Sequence, residues 1–171
     1  MSEQENTNIV KQTYECFLRG DIESLLKLYS DDVRWEVYGP PSIPTTGERK
    51  GLPEVKQFFE QVNESLSAQS FEPREFIAQG DQVVVLGHYT WTAQPTGRPF
   101  SANWAHVVTL SDGKITRFRE YTDTAAGVDA FAEGGMAQQA GGEFVLHPIL
   151  REIARSKSPG ALVRGRPLRL F

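Results

Sequence analysis

His106 and Glu120 are the two residues of this chain whose type and spacing best suit moving a proton. In the run Phe100–Leu110, alternation puts Ala102, Trp104, His106 and Val108 on one face. In the run Lys114–Thr122 it puts Phe118, Glu120 and Thr122 on one face and Arg117, Arg119 and Tyr121 on the other. The tight Ser111-Asp112-Gly113 turn makes the two runs antiparallel neighbours, so His106 and Glu120 meet if they point to the same side. A carboxylate that orients an imidazole is a general acid/base unit. Tyr89 and Trp91 from the preceding run, and Trp35 from an earlier one, would supply dry walls. The same pair could equally be a satisfied polar pair in a core, and spacing alone leaves both readings open.

Other chemistries lack their residues. The chain has no Gly-x-Ser-x-Gly, no phosphate-binding glycine loop and no Gly-x-Gly-x-x-Gly after a strand. His88, His106 and His147 do not have metal-ligand spacing, and His88 should face outward. The single cysteine, Cys16, forms neither a disulfide nor a zinc cluster, and no metal or cofactor is expected. Charge is uneven. Residues 1–133 carry 12 Lys and Arg against 20 Asp and Glu, whereas residues 134–171 carry six against two. An acidic body argues against nucleic acid as ligand. No run approaches the ~18 apolar residues of a membrane span, and Met1–Asn8 is polar, so a cytoplasmic protein without membrane contact is expected.

At 171 residues and 39% hydrophobic content the chain suits one domain with its own core. Asn8–Ser30 carries apolar residues at helical spacing, broken at Gly20-Asp21, where Asp21 can cap a second helix. Val33–Tyr38 reads as a strand, and Gly39 to Gly51 as an aperiodic loop. Pro53 suits the first turn of a helix over Glu54–Ser65, which sets Val55, Phe58, Phe59 and Val62 on one face. Phe71–Gln79, Gln82–Ala93, Phe100–Leu110 and Lys114–Thr122 form a meander, with Asp123 ending or capping the last strand. Helices followed by an antiparallel meander mean an α+β fold, with helices covering one face of a curved sheet. Beyond Thr124 a short helix at Gly127–Glu133 and an amphipathic one at Phe144–Ile153 are expected, with Ser156–Pro159 and Arg164–Phe171 mobile.

The segments Tyr29-Ser-Asp-Asp-Val-Arg-Trp-Glu-Val, Gly51-Leu-Pro-Glu-Val-Lys-Gln-Phe-Phe and Asp112-Gly-Lys-Ile-Thr-Arg-Phe-Arg-Glu-Tyr-Thr-Asp123 resemble the SnoaL-like group. That group belongs with nuclear transport factor two, ketosteroid isomerase and limonene epoxide hydrolase. The resemblance covers about Asn8–Phe131. It implies a pocket domain at 1–131 and a basic extension at 132–171, partly helical or flexible. It further implies a cone-shaped barrel with a deep apolar pocket, homodimeric through the sheet's outer face. The isomerase's base position is Val37 here, with Glu36 on the other face. Its oxyanion-hole Asp falls at His106 and its Tyr near Thr13 or Tyr14. Two of the epoxide hydrolase's three positions fall near Tyr89 and Gly87, and its final Asp at Glu120.

The pocket His and acidic base of SnoaL-type polyketide cyclases match His106 and Glu120. The resemblance then implies proton abstraction beside a carbonyl, with Glu120 as base and His106 as donor to the enolate. Trp35, Val37, Tyr89, Trp91, Trp104, Phe118 and Thr122 would bind substrate from the strands, and Tyr14, Phe17 and Phe58 from the helices. The expected function is an acid/base enzyme, cyclase- or isomerase-like, on a small apolar carbonyl compound. A non-catalytic binding module for an apolar metabolite and a protein-interaction domain are the competing readings.

Overall fold

Helix α1, Glu3–Arg19, starts from a capping box: the Ser2 hydroxyl accepts from the Glu5 N–H while the Glu5 carboxylate accepts from the Ser2 N–H. This cap is wholly polar, so apolar periodicity places the helix start too late, at Asn8. The helix ends on Gly20 in the left-handed conformation, φ 73°. Asp21 then caps α2, Ile22–Leu26, by accepting from the Ser24 N–H at 3.0 Å. Tyr29 and Ser30, expected to be helical, instead open strand β1, Tyr29–Val37. The sheet claims them, because the Ile115 N–H donates to the Leu28 carbonyl and Tyr29 pairs with Ile115.

The computed structural model describes residues 1–132. After β1 come β2 (Gly47–Lys50), α3 (Gly51–Ser65), β3 (Leu66–Gln79), β4 (Gln82–Ala93), β5 (Arg98–Ser111), β6 (Lys114–Thr122) and α4 (Thr124–Phe131). β4 and β6 have the expected bounds. β3 and β5 start earlier than expected, and the loop from Gly39 hides β2, a four-residue edge strand paired only with β1. Asp123 caps α4 by accepting from the Ala125 N–H, which moves that helix ahead of the expected Gly127–Glu133. The helix expected at Phe144–Ile153 and the rest of the basic extension lie outside the described residues.

The sheet order is β2-β1-β6-β5-β4-β3. Every pairing is antiparallel except β1 with β6, so the meander is closed by one parallel strand returning from the N-terminal side. This is the expected α+β arrangement. Helices α1 and α3 cover the sheet's inner face, where Val10, Val33, Val55, Val83, Val85 and Ile115 are fully buried. On the outer face Glu36 receives a two-pronged bond from Arg117, at 2.8 and 2.9 Å, and Tyr38 stacks on Tyr121 at 4.9 Å. Among the described residues no helix is long and apolar enough to cross a membrane.

Candidate active site

The β5–β6 turn and a bulge beside it set the site's register. Asp112 and Gly113 both take positive φ, 49° and 79°, as a two-residue type I′ turn requires. That turn pairs Ser111 with Lys114 and Leu110 with Ile115, and a bulge at Thr116 then shifts the register so that His106 stands opposite Glu120 rather than Arg119. His106 Nε2 lies 3.4 Å from Glu120 Oε2, both side chains largely buried. The approach is off the line of a hydrogen bond, so Nε2 feels the carboxylate's charge but has no hydrogen-bond partner.

The other ring nitrogen is held. Tyr14, on α1, places its hydroxyl 2.9 Å from His106 Nδ1. Burial pushes the Tyr14 phenol well above its ordinary range, with Tyr29 and Glu120 adding to the effect. Tyr14 is therefore a neutral donor. If it donates to Nδ1, the ring hydrogen sits on Nε2 and faces the carboxylate. The opposite arrangement would leave the phenolic hydrogen unpaired and aim a bare nitrogen lone pair at Glu120. Electrostatics thus selects the Nε2–H form. Trp104 stacks on the imidazole at 4.0 Å between centroids, and Phe118 meets it edge-on at 4.7 Å.

These groups face a cavity of about 110 Å³. Of the residues expected from sequence, His106, Glu120, Tyr14, Phe17, Trp35 and Val37 line it. So do Phe58, Tyr89, Trp91, Phe118 and Thr122. Trp104 does not. It lies behind His106, over Gly87 of the neighbouring strand, and supports the ring rather than walling the cavity.

The other lining residues were less legible. Tyr29 also lines the cavity, but a register break between Tyr29 and Arg34, with Asp31 exposed, interrupts the alternation that would lead back to it from Val33. Ile43, Thr45 and Thr46 come from the aperiodic loop, for which sequence offers no signal. Gly127 of α4 lines the mouth, where an added Cβ would come within 2.9 Å of Ile43 Cδ1.

The Tyr89 phenol has an internal acceptor. Thr122 gives its hydrogen to the Asn103 carbonyl at 3.1 Å, so Tyr89 donates to Thr122 at 2.9 Å. Thr13 gives its hydrogen to the Val10 carbonyl at 2.7 Å. Burial raises the Tyr29 and Tyr89 phenols above their ordinary range. No Lys or Arg is ion-paired with Glu120 among the described residues. The cavity therefore offers the Glu120 carboxylate and the His106 imidazole N–H at close range within aromatic walls, with Asp123, the cap of α4, as a second carboxylate in its lining.

Comparison with known proteins places this arrangement among relatives. The SnoaL-like domain family matches residues 10–118. A solved NTF2-like protein of Burkholderia xenovorans LB400 is 34% identical, with a TM-score of 0.72 over 77% of this chain and 99% of its own. The structure of TerC co-crystallised with polyporic acid is 32% identical, with a TM-score of 0.68 over 74% of this chain and 98% of its own. An uncharacterised protein of Mycobacterium tuberculosis is 23% identical over 131 residues, 77% of this chain and 98% of that protein.

Proposed function

Since this chain belongs to the SnoaL-like domain family, in the NTF2-like superfamily, we propose that it is an acid/base enzyme acting beside a carbonyl of a small apolar molecule, in the manner of a polyketide cyclase or an isomerase. The observation that carries the reading is the Glu120 carboxylate, ion-paired with no Lys or Arg among the described residues, 3.4 Å from an imidazole nitrogen whose hydrogen Tyr14 fixes in place. A relative at 32% identity that was co-crystallised with polyporic acid supports a small-molecule ligand.

Glu120 takes a proton from the carbon next to the carbonyl. The electron pair moves onto oxygen, and the enolate so formed accepts a hydrogen bond from His106 Nε2–H. Low-dielectric walls strengthen that bond as charge develops. Return of the proton to another carbon gives an isomer. Attack of the enolate carbon on a second carbonyl gives a ring, and the proton goes to the new alkoxide. Both routes are redox-neutral and need no further reactant.

On the sheet's opposite face, exposed Tyr38 and Tyr121 form a stacked aromatic pair, and Ile77 is also exposed. We propose that this face joins two copies of the chain.

The test is a thermal-shift panel of aromatic polyketides, lactones, enones and terpene epoxides, run on the wild type and Glu120→Gln with product analysis. A compound that stabilises both proteins and is converted only by the wild type supports the enzyme. Hits bound by both without conversion would make the cavity a binding module, and no hits would end the small-molecule reading.

A further inference from the structure

The proposed chemistry uses the His106 donor but leaves another cavity-lining polar group unassigned. Trp35 lines the cavity and is 4% exposed, yet its indole Nε1–H has no hydrogen-bond partner. His106, also 4% exposed and also lining the cavity, has an equally unpartnered Nε2. Buried N–H groups in folded proteins are paired in the great majority of cases. Here two unpaired nitrogens belong to one wall.

A single ring joins them. Phe118 stacks on Trp35 with centroids 3.9 Å apart and planes 18° apart, and it meets His106 edge-on at 4.7 Å. The register agrees: β1 pairs Trp35 with Phe118, and β5 pairs Val108 with Phe118 one alternation from His106. Trp35 lies flat on the Phe118 ring and His106 meets the same ring edge-on, so the two donor side chains share one wall. The hydroxyls of Tyr14 and Tyr89 cannot take their place, because their hydrogens go to His106 and Thr122. Glu120, ion-paired with no Lys or Arg among the described residues, disfavours an anionic ligand. A cavity of about 110 Å³ is on the scale that holds one small ring.

We infer that the Trp35 indole N–H is a second ligand-binding donor, and that the site takes neutral, single-ring molecules with two carbonyl oxygens, one for His106 and one for Trp35. This rests on the proposed acid/base site for the role of His106, but the Trp35 contact requires binding only. Trp35 is then a specificity-determining residue, which separates diketones from monoketones of the same size.

The experiment follows the three tryptophan indole N–H signals in the ¹H–¹⁵N spectrum of the full chain, assigned with single Trp→Phe variants. The probes are 2,2-dimethylcyclohexane-1,3-dione, which cannot enolise between its carbonyls, and 2,2-dimethylcyclohexanone. The diketone is expected to move the Trp35 signal downfield, and the monoketone to leave it in place. Trp104 has an unpartnered Nε1 too but does not line the cavity, so its signal is the internal control. Trp35→Phe keeps an aromatic ring and is expected to weaken diketone binding about tenfold more than it changes monoketone binding.

Failure to bind the diketone, a Trp35 signal unmoved in its complex, or an equal response from Trp104 would each overturn the inference. So would a folded Trp35→Phe that keeps the preference. The wild-type spectrum decides even if that variant does not fold. Glu120→Gln separates the two claims: a Trp35 shift with no loss of turnover in Glu120→Gln removes the proposed base and keeps the Trp35 donor. Turnover that depends on Glu120 without a Trp35 shift does the reverse.

Discussion

Trp104 lies across Gly87 on the neighbouring strand, in the space where any other residue would put its Cβ. A Cβ built at Gly87 overlaps the six-membered ring of the indole, and the same indole stacks on His106 at 4.0 Å. A glycine on β4 thus sets the plane of an imidazole on β5. Gly87→Ala should push Trp104 against His106 and destabilise the fold by about 2 kcal/mol. Urea unfolding checks this, as a lower midpoint at unchanged slope. Wild-type stability would mean that the indole can shift without cost.

Glu120→Gln keeps the size of the side chain and removes its basicity. Turnover on any substrate found should fall by about 10²–10⁴-fold, with little change in the dissociation constant. Single-turnover rates and calorimetric titration on the same ligand separate the two effects. A matching loss in both would make Glu120 a binding group.

Tyr14→Phe removes the hydroxyl that donates to His106 Nδ1 and leaves that nitrogen unpaired in a buried site. The stability cost should be about 1 kcal/mol, and turnover should fall about tenfold as the imidazole loses its fixed form. Long-range ¹H–¹⁵N spectra of the His106 ring provide a readout that a merely structural role would not move. The wild type should show hydrogen on Nε2 only, and the variant a mixture. A wild-type ring with its hydrogen on Nδ1 would reverse the donor assignment.

How much of this was legible in the sequence depends on the range of the signal. Alternation and the Asp112-Gly113 turn are local and make β5 and β6 neighbours, but that turn alone would set His106 opposite Arg119; the bulge at Thr116 that brings Glu120 opposite instead is not written in either pattern. The Tyr14–His106 bond joins a helix to a strand 92 positions away, and helical periodicity says only that Tyr14 faces inward. The position of Trp104 was misread because alternation gives a face but not what lies on it. Gly87 draws the indole sideways over its own strand, away from the cavity. Ile43, Thr45 and Thr46 were missed because an aperiodic loop is placed by what it packs against, here α4 through Gly127. The return of β1 beside β6 in parallel is likewise a tertiary choice, and it took Tyr29 and Ser30 from a helix into a strand.

The Glu36–Arg117 pair should give the fold an acid-sensitive component. Hydrogen bonding from Arg117 holds the Glu36 carboxyl below its ordinary value of 4.5, opposed by burial and helped by the charges of Arg117, Arg119 and Arg34. A carboxyl whose value is depressed by folding stabilises fully above the unfolded value and loses that contribution as pH falls through the folded one. Below pH 4.5 the wild type should therefore lose stability with a slope that Glu36→Gln lacks at this site. Melting temperatures of both proteins from pH 6 down to about pH 3 provide the measurement. Parallel curves would show that the pair does not contribute.

Tyr38 and Tyr121, stacked at 4.9 Å, are 40% and 43% exposed, an unusual state for two aromatic rings on a sheet face that also carries the part-exposed Glu36–Arg117 ion pair. In the proposed dimer this stack is the anchor, because aromatic residues at the centre of an interface carry most of its energy. Tyr121→Glu would place a charge there and should weaken association by at least about thirtyfold. The cavity lies on the sheet's other face, so turnover per chain should persist. Sedimentation equilibrium across a concentration series decides it: the wild type should approach twice the 19.1 kDa chain mass where the variant remains at the chain mass. A wild type that stays at one chain mass throughout would remove the dimer. A variant that associates as well as the wild type would move the interface off this stack.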